Sequence, residues 1–435
     1  MQKAIEIAVE KFLEKIKDKN IKIISHHDTD GITSAAILAK TLKRLDKKFS
    51  IKIVKNLERD FVEGLSNDSE LIIFLDLGSS LLDEISKLKD AFVIDHHEIS
   101  TIPGKNTTII NPHLLDEEEI SASGLTYLFS KFISRENKDL ANLAVVGMVG
   151  DMLEREISKI NNKILEDAEV IIKKGLLLYP ATRPVHKTLE FSSSIFIPGI
   201  TGNSKGVLSL LREIGIKKEN NGYKNLIELS EEELSKLITA ILLRTRKKGE
   251  DLIGNIYLVK LFNRLEDARE LSAMINACSR LGYTNIALSL CLDNKEARTK
   301  AETIYADYKQ QLVSALNFAE NNKIEGNGYV FLNAEHKIRD TIIGTVASIM
   351  SMSHQYKEGT VIITMSYDKE KIKVSARVSG RKGRNVRELL EKAMRNIEGE
   401  CGGHPLAAGC LIPRDKEKEF VDNLINALQL EVVKI

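Results

Sequence analysis

The stretch HHDTDG, residues 26–31, sets His26, Asp28 and Asp30 on alternate positions after the apolar run IKII and closes with a glycine. Carboxylates this close repel and raise each other's pKa unless a cation or a shared proton relieves them. The segment is therefore either a solvated turn or part of a metal site. Three more stretches share its character: LIIFLD ends at Asp76, AFVID runs into Asp95, His96 and His97, and GMVGD closes a nearly all-apolar helical pattern with Asp151. An acid in that last position is expensive unless it turns toward a cation. Each piece alone has a plainer explanation, an Asx turn for DTDG or a helix cap for Asp76 and for DHH. Their joint occurrence at the ends of apolar runs argues for one site. Asp and His are ligands for Mn²⁺, Mg²⁺ or Zn²⁺, and these stretches lack the thiolates of a structural zinc. Five or six donors exceed what one ion with open positions requires. Two ions ~3.5–4 Å apart, with one carboxylate bridging, would use them, and such pairs act on phosphate esters.

The surrounding elements must bring these stretches together. IKIIS, SIKIV, LIIFLD, AFVID and TTII read as strands, alternating with helical patterns in ITSAAILAKTLKRL and after Gly78. That alternation predicts an α/β fold with a parallel sheet, whose strand ends share one edge where such sheets hold ligands. SASGLTYLFSKFI, LANLAVVGMVGDML and NNKILEDAEVIIKKGLL read as helices, and ATRPVHKTLEFSSSIFIPGITGN as a bridging segment. Residues 204–250 are charged and mostly helical, with KKENNGYKN as an exposed tip. A second α/β unit begins at NIYLVKLF. It continues through helix ARELSAMINACSRLG, strand NIALSLCL, a long charged helix near 294–322 and strand GYVFLN. VIITMSY and KIKVSARV read as hairpin partners, followed by a helix, a turn at CGGH, strand LAAGCLI and a closing helix.

With 435 residues the chain exceeds what one core usually serves. The expected division is a catalytic domain over 1–190, a linker and helical insertion over 191–250, and a second α/β domain over 251–435. The 63 basic and 62 acidic residues leave a formal charge of +1, so a polyanionic partner must be argued from local features. The amphipathic start MQKAIEIAVEKFLEKIKDK is unlike a secretory leader, and LANLAVVGMVGDML is too short to span a bilayer. The expectation is a cytoplasmic, nucleoid-associated protein. Cys278, Cys291, Cys401 and Cys410 show no CxxC spacing and read as ordinary thiols.

HHDTDG, FLDLG, VIDHHE and GMVGD resemble the four motifs of the DHH phosphoesterase superfamily, and CGGHPLAAG resembles the glycine-rich histidine motif of its DHHA1 domain. SASGLTYLF and TRPVHKTLEF are similar to the RecJ-like nucleases, particularly the archaeal GINS-associated nuclease. The lack of residues after the closing helix for the oligonucleotide-binding fold of bacterial RecJ fits the archaeal type. The resemblance implies that His26 and Asp28 hold one Mn²⁺, that Asp30, His96 and Asp151 hold the other, and that Asp76 bridges. It implies that Asp95 fixes an imidazole, as metal-bound histidines generally require, and that His97 faces the scissile phosphate. His27 is left as a packing or supporting group. In the second domain it implies phosphate contacts from Arg377 and His404, with Gly402 and Gly403 allowing close backbone approach. Asn276 and Arg280 are similar to further family contacts, although Ser279 replaces a usual glycine. Cys401 stands where the family usually has glycine; at a positive-φ position it would cost roughly 1 kcal/mol or more. The basic runs SGRKGRNVR (379–387) and RTRKKGE (244–250) either follow a nucleic-acid backbone or are solvated faces.

The implied activity is that of an Mn²⁺-dependent exonuclease, with Mg²⁺ as the alternative ion, digesting single-stranded DNA or RNA from a 5′ end in replication or repair. The implied partner is the GINS replication complex, docked on residues 204–250. Two rivals use the same domains: a phosphodiesterase for oligoribonucleotides or cyclic dinucleotides, and a helicase scaffold related to the nuclease.

Overall fold

The computed structural model describes the chain except residues 18, 66–69, 100, 115–117, 193–194, 246–251, 354 and 431–435. In chain order the first elements are α1 (Gln2–Lys15), β1 (Ile21–His26), α2 (Thr29–Arg44), β2 (Phe49–Val54) and α3 (Arg59–Glu63). There follow β3 (Leu71–Leu75), α4 (Leu82–Ile85), β4 (Ala91–Ile94), β5 (Thr107–Ile110), α5 (Ala122–Ile133) and α6 (Ala141–Gly150). Then come α7 (Lys159–Asp167), β6 (Ile171–Leu176), α8 (Val185–Glu190), α9 (Ser204–Glu213) and α10 (Glu231–Thr245). The chain continues with β7 (Ile253–Leu261), β8 (Arg264–Asp267), α11 (Ala268–Arg280), α12 (Thr284–Cys291) and α13 (Lys295–Asn322). It ends with β9 (Ile324–Gly326), β10 (Tyr329–Asn333), α14 (Asp340–Ser351), β11 (Val361–Asp368), β12 (Lys371–Val378), α15 (Val386–Ala393), β13 (Glu400–His404), β14 (Ala407–Pro413) and α16 (Glu417–Leu430).

Two compact units result, each discontinuous in sequence: residues 1–174 with 255–306, and residues 175–254 with 307–435. The sequence reading placed 255–306 in the second domain; the contacts group it with the first. The first unit holds a five-stranded parallel sheet in the order β2-β1-β3-β4-β5. Every residue of β3 and β4 is buried, because helices cover both faces of such a sheet and both sets of side chains must be apolar. The order reverses at β1, so the crevice beyond the carboxyl ends of β1 and β3 is a topological switch point. α2 packs on α5 and α6, and α11 and α12 add to that helical layer.

Three local expectations change. NIALSLCL is helix α12, not a strand. Its buried residues Ala287, Leu290 and Cys291 recur at helical spacing. VIIKKGLL supplies strand β6, not a helical turn. The stretch after Gly78 forms only a 3₁₀ turn, Ser79–Leu81, and the short α4.

The second unit holds a six-stranded sheet in the order β13-β14-β12-β11-β10-β9. β11 and β12 pair as an antiparallel hairpin from Val361↔Val378 to Asp368↔Lys371, the pairing expected from VIITMSY and KIKVSARV. Val361, Ile363 and Met365 face a core completed by Leu389 and Leu390 of α15 and Phe420 and Leu424 of α16. On the other face Thr364 Oγ1 donates to the carbonyl of Ile343 in α14. CGGH is not a turn but the outer strand β13, joined to β14 through Pro405 and Leu406. Among the described residues no helix is long and apolar enough to cross a membrane.

Candidate metal centre

β1 ends at His26 and passes into α2 through Asp28, the helix N-cap, whose Oδ1 accepts the Gly31 N–H at 3.0 Å. A Cβ at Gly31 would lie 2.3 Å from the His26 carbonyl oxygen. The closing glycine of HHDTDG thus lets the helix start directly over the strand end. β3 delivers Asp76, which is buried and adopts φ 57. An aspartate tolerates that left-handed conformation at a cost of order 1 kcal/mol, and here it follows directly on the strand end. β4 delivers Asp95, His96 and His97, and the C-terminus of α6 delivers Asp151.

These side chains converge in three overlapping sets, His26–Asp28–Asp76, Asp30–His96–Asp151 and Asp76–His96–His97, with donor atoms in each set within 4.8 Å of one another. His26 Nδ1 lies 3.1 Å from Asp28 Oδ2 and 3.1 Å from Asp76 Oδ2. His96 Nε2 lies 3.4 Å from Asp76 Oδ1 and 3.4 Å from Asp151 Oδ2. Asp76 therefore turns Oδ2 to His26 and Oδ1 to His96. Asp30 is held from behind: its Oδ2 accepts the Ala122 N–H at 2.6 Å and its Oδ1 the Ser123 N–H at 3.0 Å, at the start of α5. This clamp was not legible in the sequence, although SAS before an apolar helix is an N-cap signal.

The electrostatics suit cations. Burial, then the charges of Asp28 and Asp30, raises the Asp76 carboxyl to about 7. Burial, then Asp30 and Asp76, pushes Asp151 well above its ordinary value. Asp151 also sits at the negative end of the α6 dipole, the wrong end for an acid, and its buried Oδ2 makes no hydrogen bond. Burial opposes charge on the imidazoles, yet hydrogen bonds to Asp28 and Asp76 raise His26 to about 10, and contact with Asp76 raises His96 to about 9. A carboxylate-rich site with an orphaned buried oxygen and only imidazole as its other donor fits hard divalent ions.

Asp95 lies behind the cluster and holds His97: its Oδ1 is 2.7 Å from His97 Nδ1 and accepts the His96 N–H at 2.8 Å, while Oδ2 accepts the Ser79 N–H at 3.0 Å. Burial would raise its pKa, but the His97 hydrogen bond and charge bring it down to about 2. His97 itself is 56% exposed and open to a ligand. Asn111 braces this loop through Nδ2, donating to Ser79 Oγ and the His97 carbonyl. His27 stands apart, its buried Nδ1 without a hydrogen bond; burial, then the His26 charge, lowers it to about 4.

Asn276 and Arg280 of α11 reach the same loop. Asn276 Oδ1 accepts the Thr29 N–H at 3.1 Å, so this side chain positions the loop between Asp28 and Asp30. Arg280 is exposed, and its charge acts on His27. The remaining expected contacts lie in the second unit. Arg377 donates to the carbonyls of Ala376 and Ala408, and its Nε to Ser348 Oγ. Gly402, Gly403 and His404 are exposed on β13. Gly403 alone of the two glycines has positive φ, 122°, and its added Cβ would lie 2.5 Å from the Ala407 carbonyl oxygen. Cys401 is not among the positive-φ residues, so the condition under which cysteine would be strained there is not met. Arg381 and Lys382 of SGRKGRNVR are exposed, whereas Arg246–Glu250 of RTRKKGE lie outside the described residues.

A parallel sheet with carboxylates and imidazoles gathered at its switch point is the arrangement of a candidate metal centre. Residues 20–148 match the DHH family, N-terminal domain; residues 178–253 match the DHH-CID domain; residues 326–430 match the DHHA1 domain. The chain is 30% identical to an uncharacterized protein of Methanocaldococcus jannaschii, over 98% of each. It belongs to the DHH family. It is 22% identical to the single-stranded-DNA-specific exonuclease RecJ of Bacillus subtilis, covering 94% of this chain and 46% of that protein. Among solved structures, RecJ of Thermus thermophilus in complex with Mn²⁺ superposes with a TM-score of 0.58 at 18% identity, over 98% of this chain and 55% of that one. The same RecJ is also known with Mg²⁺. CDC45 of Entamoeba histolytica gives a TM-score of 0.70 at 12% identity, over 98% and 99% of the two chains. This chain thus spans about half the length of the two RecJ proteins.

Proposed function

We propose that the chain is a two-cation phosphodiesterase that digests single-stranded nucleic acid, as a 5′-to-3′ exonuclease of DNA replication or repair. The observation that carries this reading is the shared Asp76, with Oδ2 turned to His26 and Oδ1 to His96. Asp76 with His26 and Asp28 would hold one ion, and Asp76 with Asp30, His96 and Asp151 the other. When bound, Mn²⁺ or Mg²⁺ would neutralise phosphoryl charge and lower the pKa of water. The protein's own groups do the rest. The clamp from Ala122 and Ser123 and the Asn276 contact fix Asp30 and the loop before any substrate arrives, which keeps reorganisation small. Asp95 sets the His97 ring so that its far edge meets a phosphate oxygen. Arg377, His404 and the exposed Arg381 and Lys382 bind successive phosphates of the strand.

The name of the Bacillus relative supports DNA as substrate. The intact donor sets argue against a purely structural role, while the likeness to CDC45 supports a place in the replication machinery, with GINS docking on residues 204–250. End-labelled DNA and RNA strands of graded length, incubated with Mn²⁺, test the reading. Nucleotide release progressing from the 5′ end of long strands is expected. Cleavage confined to dinucleotides or cyclic dinucleotides would transfer the assignment to the small-substrate rival, and no release from any strand would leave the scaffold.

A further inference from the structure

Cys401 on β13 and Cys410 on β14 are directly opposed partners in the antiparallel ladder. Directly opposed residues share one face of the sheet, and antiparallel pairs bring their Cα atoms to ~4.5–5.5 Å. A disulfide spans ~4.4–6.8 Å between Cα atoms, so directly opposed ladder positions fall within its reach. Both side chains pack against the same core beneath α15 and α16, Cys410 within it and Cys401 at its margin. Cys401 is partly exposed and Cys410 buried, the arrangement of an attacking and a resolving thiol. The other two cysteines, Cys278 of α11 and Cys291 of α12, are buried.

We propose that Cys401 and Cys410 form a cross-strand redox pair that closes to a disulfide on exchange with small-molecule disulfides. The Cys401 thiolate attacks one sulfur of the small disulfide, whose other sulfur leaves as a thiolate. Cys410 then loses its proton to solvent base and attacks Cys401 Sγ, expelling the second thiolate. The protein gives up two electrons and two protons, and the small disulfide becomes two thiols. The new bond ties the outer strand β13, which carries Gly402, Gly403 and His404, to the body of the sheet. Burial raises both thiols, with Glu391 adding to the effect on Cys401 and Arg387 opposing it. Exchange is therefore slow at neutral pH and faster in mild alkali.

The test uses the full-length protein equilibrated with oxidised glutathione at mildly alkaline pH, then alkylated and digested with trypsin. Both cysteines fall on one tryptic peptide, residues 396–414. The expected product is that peptide lighter by two hydrogen atoms and refractory to alkylation, reversed by dithiothreitol and absent from Cys401→Ser, which instead keeps one alkylatable thiol. Amide exchange at 400–404 should slow on oxidation. The proposal is overturned if Cys401 accumulates as a stable glutathione adduct while Cys410 stays alkylatable, if cross-linked dimers form instead, or if both thiols survive.

Discussion

Replacing Gly147 by alanine is a sharp test of how the donor cluster is held. Gly147 lies in α6 where that helix crosses α2 and α5, and an added Cβ would sit 2.0 Å from Ser123 Oγ, 2.6 Å from Asp30 Oδ1 and 2.6 Å from Thr33 Oγ1. Carbon and its neighbours prefer ~3.5–4.0 Å, so atoms must shift by about 1 Å. Ser123 can rotate its hydroxyl away. Asp30 cannot move without loosening its bonds to the Ala122 and Ser123 N–H groups. Overpacking alone should cost about 1–3 kcal/mol of stability, and a weakened charge-assisted bond a further ~1.5–3 kcal/mol. A displacement of ~1 Å at a catalytic group costs on the order of a hundredfold in rate. Urea denaturation, calorimetric Mn²⁺ binding and nucleotide release should therefore all be impaired. Gly64→Ala serves as control, since among the described residues its Cβ would meet only the Asp60 and Phe61 carbonyls at 3.4 Å. A Gly147→Ala protein of parental stability that binds Mn²⁺ as tightly as the parent would refute the claim that the Ala122 and Ser123 N–H groups hold Asp30 fixed.

Other outcomes follow from the same geometry. Asp76→Ala should abolish hydrolysis and remove bound Mn²⁺ in metal analysis, because both donor sets lose an oxygen, whereas His27→Ala should keep most activity; substantial turnover by Asp76→Ala would contradict the shared-carboxylate reading. In the metal-free chain burial opposes the charged imidazole, but Asp28 and Asp76 raise His26 to about 10 and Asp76 raises His96 to about 9. Their protons must leave before the rings can bind an ion, so Mn²⁺ affinity should rise with pH between roughly 6 and 9, by about tenfold per pH unit for each proton displaced. Calorimetry in buffers of different ionisation enthalpy checks the proton release, and a pH-independent affinity would count against these histidines as ligands. Arg377→Ala should weaken strand binding and lower the slope of its salt dependence by about one, and His404→Ala should weaken strand binding, while both ions stay bound; loss of metal in either variant would contradict the division of roles. Replacing 204–250 by a short flexible linker should spare single-strand digestion but abolish capture by GINS in a pull-down; a companion Leu243→Glu variant, altering a side chain that is 77% exposed on α10, keeps the test decisive if the deletion does not fold.

The half of the fold that carries the donor cluster was legible because its signals are local and redundant. IKII, LIIFL and AFVI are uninterrupted apolar runs, as strands covered on both faces must be, and each is followed at once by the donors it delivers. The support for those donors was not legible. Asp30's partners are backbone N–H groups of Ala122 and Ser123, which carry no side-chain signature. Asn276 matched a phosphate-contact pattern, yet its acceptor oxygen lies on Thr29, a contact spanning hundreds of residues. NIALSLCL failed as a strand because a short apolar run has no decisive period of its own; α12 is settled by packing on α2. CGGH suggested a turn through its glycines, but the turn is at Pro405–Leu406 and the glycines lie on an exposed strand. A boundary near 251 was read, but the return of 255–306 to the first unit was not, because it is made by long-range packing that local pattern does not record.

That return has a consequence for the order in which a ribosome makes the protein. When residues 1–174 have emerged, the parallel sheet and every member of the donor cluster exist, but the layer that α11 and α12 add to α2 and α6 is still missing. Leu271, Met274, Ile275, Ala287 and Leu290, all buried in the finished unit, arrive only after residues 175–254. Closing so distant a contact costs little more free energy than closing a shorter one, but it slows folding. The nascent chain therefore carries its donor loop with the Thr29 N–H still waiting for Asn276. The loop reaches its final form only when translation is well past the middle of the message, so a chain released early has the donors without the helix that fixes them.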